Sequence, residues 1–263
     1  GEIAFIKTDG IFIDDMIIEG IKGMKFALGE NPKRVYNDKD ESPVTRMAVS
    51  AIIREGLDKA KRYMNDYDAH LADSDSLDPP EYDIKCESLV PLLRRRAKAY
   101  FHCHRADDIC TAIRIAREFN LKAVIIHGTE GYLVSDILKR FKIPVICGPV
   151  ICDRCKPEMK GLDLKNASEL NKNGVLTAIC TDHTVIPIQY LPISAQACQK
   201  GGLEFIEALK AITINPALIM GAEKSIGCLK NDMDADLQLY PKGSNPLDLL
   251  SEPSLVMING KIV

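Results

Sequence analysis

Short apolar runs alternate with helical patterns along almost the whole chain, and that alternation limits the fold more than any other feature. Apolar runs lie at 3–8, 23–28, 98–103, 122–127, 144–148 and 175–181. Each is short, mostly lacks polar alternation and ends in a polar or Gly-rich loop, as strands buried on both faces do. Helical patterns lie between them, most clearly at 44–64, 84–97, 106–119, 131–140, 164–173 and 203–212. This succession predicts βαβ units and a parallel sheet. With 263 residues, 46% of them hydrophobic, the chain is long enough for one large α/β core.

Two stretches break the rhythm. Residues 65–83 are acidic, contain Asp78-Pro79-Pro80, and predict a surface loop with His70 solvated in it. Residues 29–43 are polar and leave the end of a strand, which in a barrel places a loop on the active-site face. The character changes again after 222. Asp234-Ala235-Asp236-Leu237 reads as a short strand, and Asn259-Gly260 between apolar residues predicts a tight hairpin. The expected division is therefore a barrel over 1–222 and part of a small β domain over 223–263.

Charge and cysteine usage narrow the setting. A net charge of −3 gives no reason to expect a nucleic-acid partner, and the run Arg94-Arg95-Arg96 reads as a solvated helix end. No apolar stretch approaches the ~18 residues that cross a bilayer, and no secretory signal opens the chain. Nine cysteines, several inside apolar runs, fit a reduced cytoplasmic protein with buried thiols better than a disulfide scaffold. Cys152 and Cys155 have C-x-x-C spacing but no matching second pair. A thiol-based site there is the weakest of the functional readings. The chain opens on Gly1 and enters an apolar run at once, which predicts a truncated start.

The chemistry-bearing residues stand at strand ends. His102 and His104 close one apolar run, His127 the next, and Asp182 with His183 a later one. A barrel collects the C-terminal ends of its strands around one mouth, so these groups should converge. Imidazole and carboxylate suit a divalent metal such as zinc, manganese or iron. Such a metal activates water, and an Asp can carry its proton to a leaving amine. His102 and His104, two apart in a strand, point to the same side, so one fits a ligand and the other a neighbouring support. Lys25 lies within an otherwise apolar strand, where a lysine must be paired, modified or able to reach a polar mouth.

In order, the stretches MKFALGENPKRVY (24–36), SPVTRM (42–47), DPPEYDIKCESLVPLLR (78–94), FHCHRADDI (101–109), IIHGTEGY (125–132), TDHTVIPIQYLP (181–192) and ALKAITINPALIMG (208–221) resemble the amidohydrolase superfamily, in the branch of imidazolonepropionase and the metal-dependent prolidases. The resemblance covers essentially the whole chain. It implies an incomplete (β/α)8 barrel, about strands 3–8, with a C-terminal remnant of a small β-sandwich. It also implies metal ligands at His102, His127 and Asp182, with Asp182 as general acid/base and Lys25 as a carboxylated bridge. His104, Arg105, Tyr132 and His183 would border a small-molecule substrate. The implied reaction is hydrolysis of a cyclic-amide or peptide-like C–N bond. The alternative is a non-catalytic fragment or a binding protein on the same scaffold. The sequence departs from the family in one respect that matters: no His-x-His pair precedes His102. That departure predicts a chain lacking about its first third, metal-poor and inactive alone, which forms a homo-oligomer or pairs with the absent segment.

Overall fold

The computed structural model describes residues 1–263. Its main sheet has six strands in sequential order: β1 (Glu2–Ile3), β2 (Gly23–Ala27), β3 (Lys98–Cys103), β4 (Lys122–His127), β5 (Val145–Cys147) and β6 (Thr177–Ile179). Strands β2 to β6 are parallel to their neighbours, with helices in the crossovers. This is an α/β sheet of the kind found in part of a TIM-type barrel, and it stays open between β1 and β6.

The run 3–8 does not become the predicted parallel strand. Only Glu2–Ile3 pairs, and it pairs antiparallel to β2. Beyond it the chain turns back through Ile13–Met16, and the Ile18 amide bonds to the Phe5 carbonyl at 2.8 Å. The polar interruption Lys7-Thr8-Asp9-Gly10 ends the apolar run before a crossover can start. Two expected loops are also helical. Glu30–Asn37 forms a helix straight after Gly29, and Arg46–Ala72 continues into the first part of the acidic stretch, taking His70 with it. In the latter, Thr45 caps the N-terminus by accepting the Ala48 amide at 3.1 Å, a start signal that outweighs the polar composition further along. The helix Leu191–Lys200 was not predicted; it opens with Pro192 in its first turn, where proline is tolerated.

Strand parity sorts the sheet's side chains onto two faces. Met24, Phe26, Phe101, Cys103, Ile125, Val145, Cys147 and Ile179 point outward into a helix-covered core of 31 buried residues. Tyr100, Val124 and Ala178 point inward and meet Ile219, with Ile3, Phe5, Ile126 and Ile146 around them. Complete burial of one large side chain such as Phe101 stabilises by about 1.5–3 kcal/mol, so the outer face holds the fold together. The inner face is left for chemistry.

The C-terminal part carries a separate three-stranded antiparallel sheet of β7 (Leu237–Leu239), β8 (Leu255–Ile258) and β9 (Lys261–Ile262). Asn259 and Gly260 have φ of 49° and 76°, the paired left-handed conformation of a tight hairpin, as their sequence predicts. Lys7 ties this sheet to the N-terminal segment through Asp234 at 2.5 Å and Asp236 at 2.9 Å. No helix is long and apolar enough to cross a membrane.

Candidate metal centre

The ends of β3 and β4 bring three imidazoles together. His102 follows Tyr100 on the inner face and pairs in register with Ala27. His104 lies two residues further along. His127 is in register with Cys103, whose side chain is in the outer core, so parity alone would send its ring away from the site. It does not go there, because His127 adopts φ of 73°, which non-glycine residues seldom do. Ring centroids are then 4.4 Å apart for His102 and His127, 4.7 Å for His104 and His127, and 5.0 Å for His102 and His104. All three rings are buried, and their potential ligand atoms lie within 4.8 Å of one another.

Hydrogen bonds fix how each ring faces the centre. His127 Nδ1 donates to the Gly148 carbonyl at 2.5 Å, which leaves a lone pair on a buried Nε2 that has no partner. His104 Nδ1 lies 2.7 Å from Thr129 Oγ1. His102 Nε2 accepts from Asn31 Nδ2 at 3.1 Å, and Asn31 Oδ1 in turn accepts from Lys156 Nζ at 2.7 Å. Burial, reinforced by the neighbouring rings, pushes the His102 pKa down to about 2 and that of His104 to about 3. Burial lowers His127 as well, against the opposing pull of the Gly148 carbonyl and Asp182. The rings are therefore neutral at ordinary pH, the form that binds metals. Three neutral imidazoles, one with an orphaned buried nitrogen and one, His102, that would exchange its bond from Asn31 for the ion, fit a divalent transition metal. A carbonyl on the far nitrogen of His127 is the support such ligands commonly have.

The other predicted residues take varied positions. Asp182 follows β6 with φ of 51°, is half-buried, and acts on His127 by its charge, but it is not in the close group of three rings. Lys25 lies on the same face as His102, with its neighbours Tyr100 and Ala27 marking the register. It is exposed, so the premise of a costly buried lysine is corrected: no partner or modification is needed to keep it there. Arg105 is exposed and forms a two-pronged pair with Asp107, both contacts at 2.9 Å. Tyr132 is half-buried under Lys165, whose Nζ is 5.4 Å from the ring centre, and His183 is exposed. Cys152 is half-buried and Cys155 exposed; both are free thiols.

Several residues around the rings were not found from the sequence. Asn31 and Lys156 hold His102, and Gly148 holds His127. Beside His104 lies a buried acidic patch of Asp108 and Glu158, with Arg46 contacting Asp108 at 3.1 Å and Glu30 at 2.9 Å. Burial raises the pKa of both buried carboxyls, Asp108 despite its bond to Arg46. The one available signal was Gly29, two residues past the end of β2, where the backbone passes close to the Glu158 side chain.

Known proteins resemble this chain in sequence and fold. The amidohydrolase family model matches residues 94–263. The crystal structure of an amidohydrolase from Thermotoga maritima MSB8 is 40% identical, superposes with a TM-score of 0.93, and covers 99% of this chain and 67% of its own. Amidohydrolase tasK of Hapsidospora irregularis is 28% identical over 250 residues, which are 90% of this chain. This chain spans 25% of that relative's length. A prolidase complexed with N-methylphosphonate-L-proline shares the fold at 15% identity, with a TM-score of 0.56 over 69% of this chain and 49% of its own.

Proposed function

Since the chain belongs to the amidohydrolase family, we propose that the protein is a metal-dependent hydrolase of C–N bonds in small cyclic-amide or peptide-like substrates. The observation that carries this reading is the convergence of three buried, neutral imidazoles with an unpartnered Nε2 on His127. His102, His104 and His127 are the residues to hold a divalent metal, zinc being the ion their donor set suits best. When bound, the metal supplies Lewis-acid activation of water and of the scissile carbonyl.

The chain's own groups do the rest. Gly148 and Thr129 orient two of the rings, and the outer core keeps their strands in register. Asp182 accepts the proton of the attacking water and returns it to the departing amine. Its half-buried place after β6 and its pull on His127 support that role. Lys25, Arg105, Tyr132 and His183 border the mouth and orient substrate. Lys25 would bridge metals only if carboxylated. The β7–β9 sheet is read as part of the small β-sandwich that accompanies such barrels.

Metal analysis of the full-length protein, followed by turnover on a panel of cyclic imides and proline dipeptides, tests the reading. Asp182→Asn should lower kcat by roughly 10²–10⁴-fold. Unchanged turnover in that variant would remove Asp182 from the mechanism.

A further inference from the structure

The loop after β5 places against the histidines a carboxylate that no strand-end pattern marks. Glu158 sits in the single turn Pro157–Met159, and its side chain is 0% exposed. One oxygen is committed: Oε2 accepts the Glu30 amide at 2.7 Å and lies 3.8 Å from Arg46 Nη2. The other is not. Oε1 is buried, has no hydrogen-bond partner, and faces His104 Nε2 at 3.8 Å.

The surroundings hold that oxygen in place without neutralising it. Gly29, at φ of 83°, makes room for the carboxylate; a Cβ there would run into Glu158 Oε2. The nearby cations are largely committed elsewhere. Arg46 makes its closer contacts to Asp108 and Glu30, Lys33 pairs with Glu30 at 3.0 Å, and Lys156 Nζ is bonded to Asn31. A buried carboxylate with one empty oxygen is costly unless something fills the gap.

The gap is closer to the width of a shared ion than to that of a hydrogen bond. A hydrogen-bonded pair would stand about 2.7–3.0 Å apart. Two donors each about 2.0–2.2 Å from one tetrahedral cation stand about 3.3–3.6 Å apart, so the pair would close by a few tenths of an ångström around it. His104 can offer its side of that arrangement: Thr129 Oγ1, 2.7 Å from Nδ1, can accept from it, and in that tautomer Nε2 keeps its lone pair. We propose that Glu158 is a metal ligand through Oε1, taking with His104 Nε2 a divalent cation on the Glu158 side of the three imidazoles. This rests on the reading of the histidines as a metal centre. It adds a charged oxygen ligand from a loop, where the strand ends alone supply nitrogen.

The test uses the full-length protein, zinc titrated against a chelator, and the visible spectrum of the cobalt form, in wild type, Glu158→Gln and His127→Ala. The glutamine can still accept the Glu30 amide, which favours a folded variant. The expected result is a zinc affinity lower by roughly 100-fold or more in Glu158→Gln, with a changed cobalt spectrum. A wild type that binds no zinc overturns the metal reading and this inference together. Zinc lost in His127→Ala but bound as in wild type by Glu158→Gln, with the same spectrum, overturns this inference alone. So does weaker binding with an unchanged spectrum, which would make Glu158 only a support for His104. If Glu158→Gln does not fold, anomalous diffraction from zinc-soaked wild-type crystals decides. A peak bonded to Oε1 supports the assignment, and a peak on the imidazoles with Oε1 turned away overturns it.

Discussion

The two faces of the β2–β6 sheet are built from the same strands yet follow different rules. Outward, alternate residues are apolar and fully covered, and any residue's place follows from counting by two along the strand. Inward, the apolar cluster is small and lies toward the strand starts, while the strand ends carry polar groups whose directions counting does not give. His127 is the clearest instance. It shares a register position with outward-facing Cys103 and yet joins the inward-facing rings. The outer face sets stability, and departures from regular backbone at the inner face set chemistry.

Removing an inner-face ligand should separate these roles most sharply. His127→Asn should lose bound metal and lower turnover by roughly 10³-fold, since metal activation contributes several kcal/mol. Its unfolding midpoint in urea, measured without metal, should stay near that of wild type. A variant that unfolds instead would show that the ring holds the fold. The reverse experiment is Phe101→Ala on the outer face, where a fully buried ring is lost. It should cost about 3–5 kcal/mol in urea unfolding, with metal per folded molecule unchanged.

Gly148→Ala should couple the two faces. Gly148 has φ of 139°, and an added Cβ would run into the Cys180 carbonyl. The strain should cost about 1–3 kcal/mol, and displacement of the carbonyl that holds His127 should weaken metal binding by roughly 10–100-fold. Calorimetry alongside chelator competition would check both at once. Loss of stability without loss of affinity would break the link. The smallest effect lies far from either face. Lys59, helped by the Cys86 and Lys85 amides, holds the Asp83 carboxyl down to about 2. Because its folded pKa is depressed, the stability it lends is present above about pH 4 and fades as pH falls toward 2. Asp83→Asn should flatten that limb of a melting-temperature profile and leave metal content alone. An unaltered limb would show that the carboxyl is unshifted.

The same contrast explains what could be read in advance. Strands β2 to β6 were legible because a buried parallel strand must be a short apolar run, and the meeting of His102, His104 and His127 followed from where those runs end. The first run misled because Ile3, Phe5 and Ile6 are apolar whether they form a crossover strand or a short antiparallel return. Asn31 was hidden because 29–43 is polar enough for a loop, although Glu30–Asn37 supports its helix with the Glu30–Lys33 pair. Glu158 was hidden because the only pattern in its loop is the cysteine pair, while its burial depends on Gly29 more than a hundred residues away in sequence. Long-range burial and backbone handedness leave little local trace.

The backbone at His127 also bears on how such a protein could diverge. A left-handed residue is most readily Gly, Asn or Asp, and a single-base change in either histidine codon reaches Asn or Asp. Descendants could thus surrender the imidazole while the chain path around it stays intact. Lineages that keep this scaffold but lose the imidazole cluster should therefore carry Asn or Asp at position 127 more often than an apolar residue.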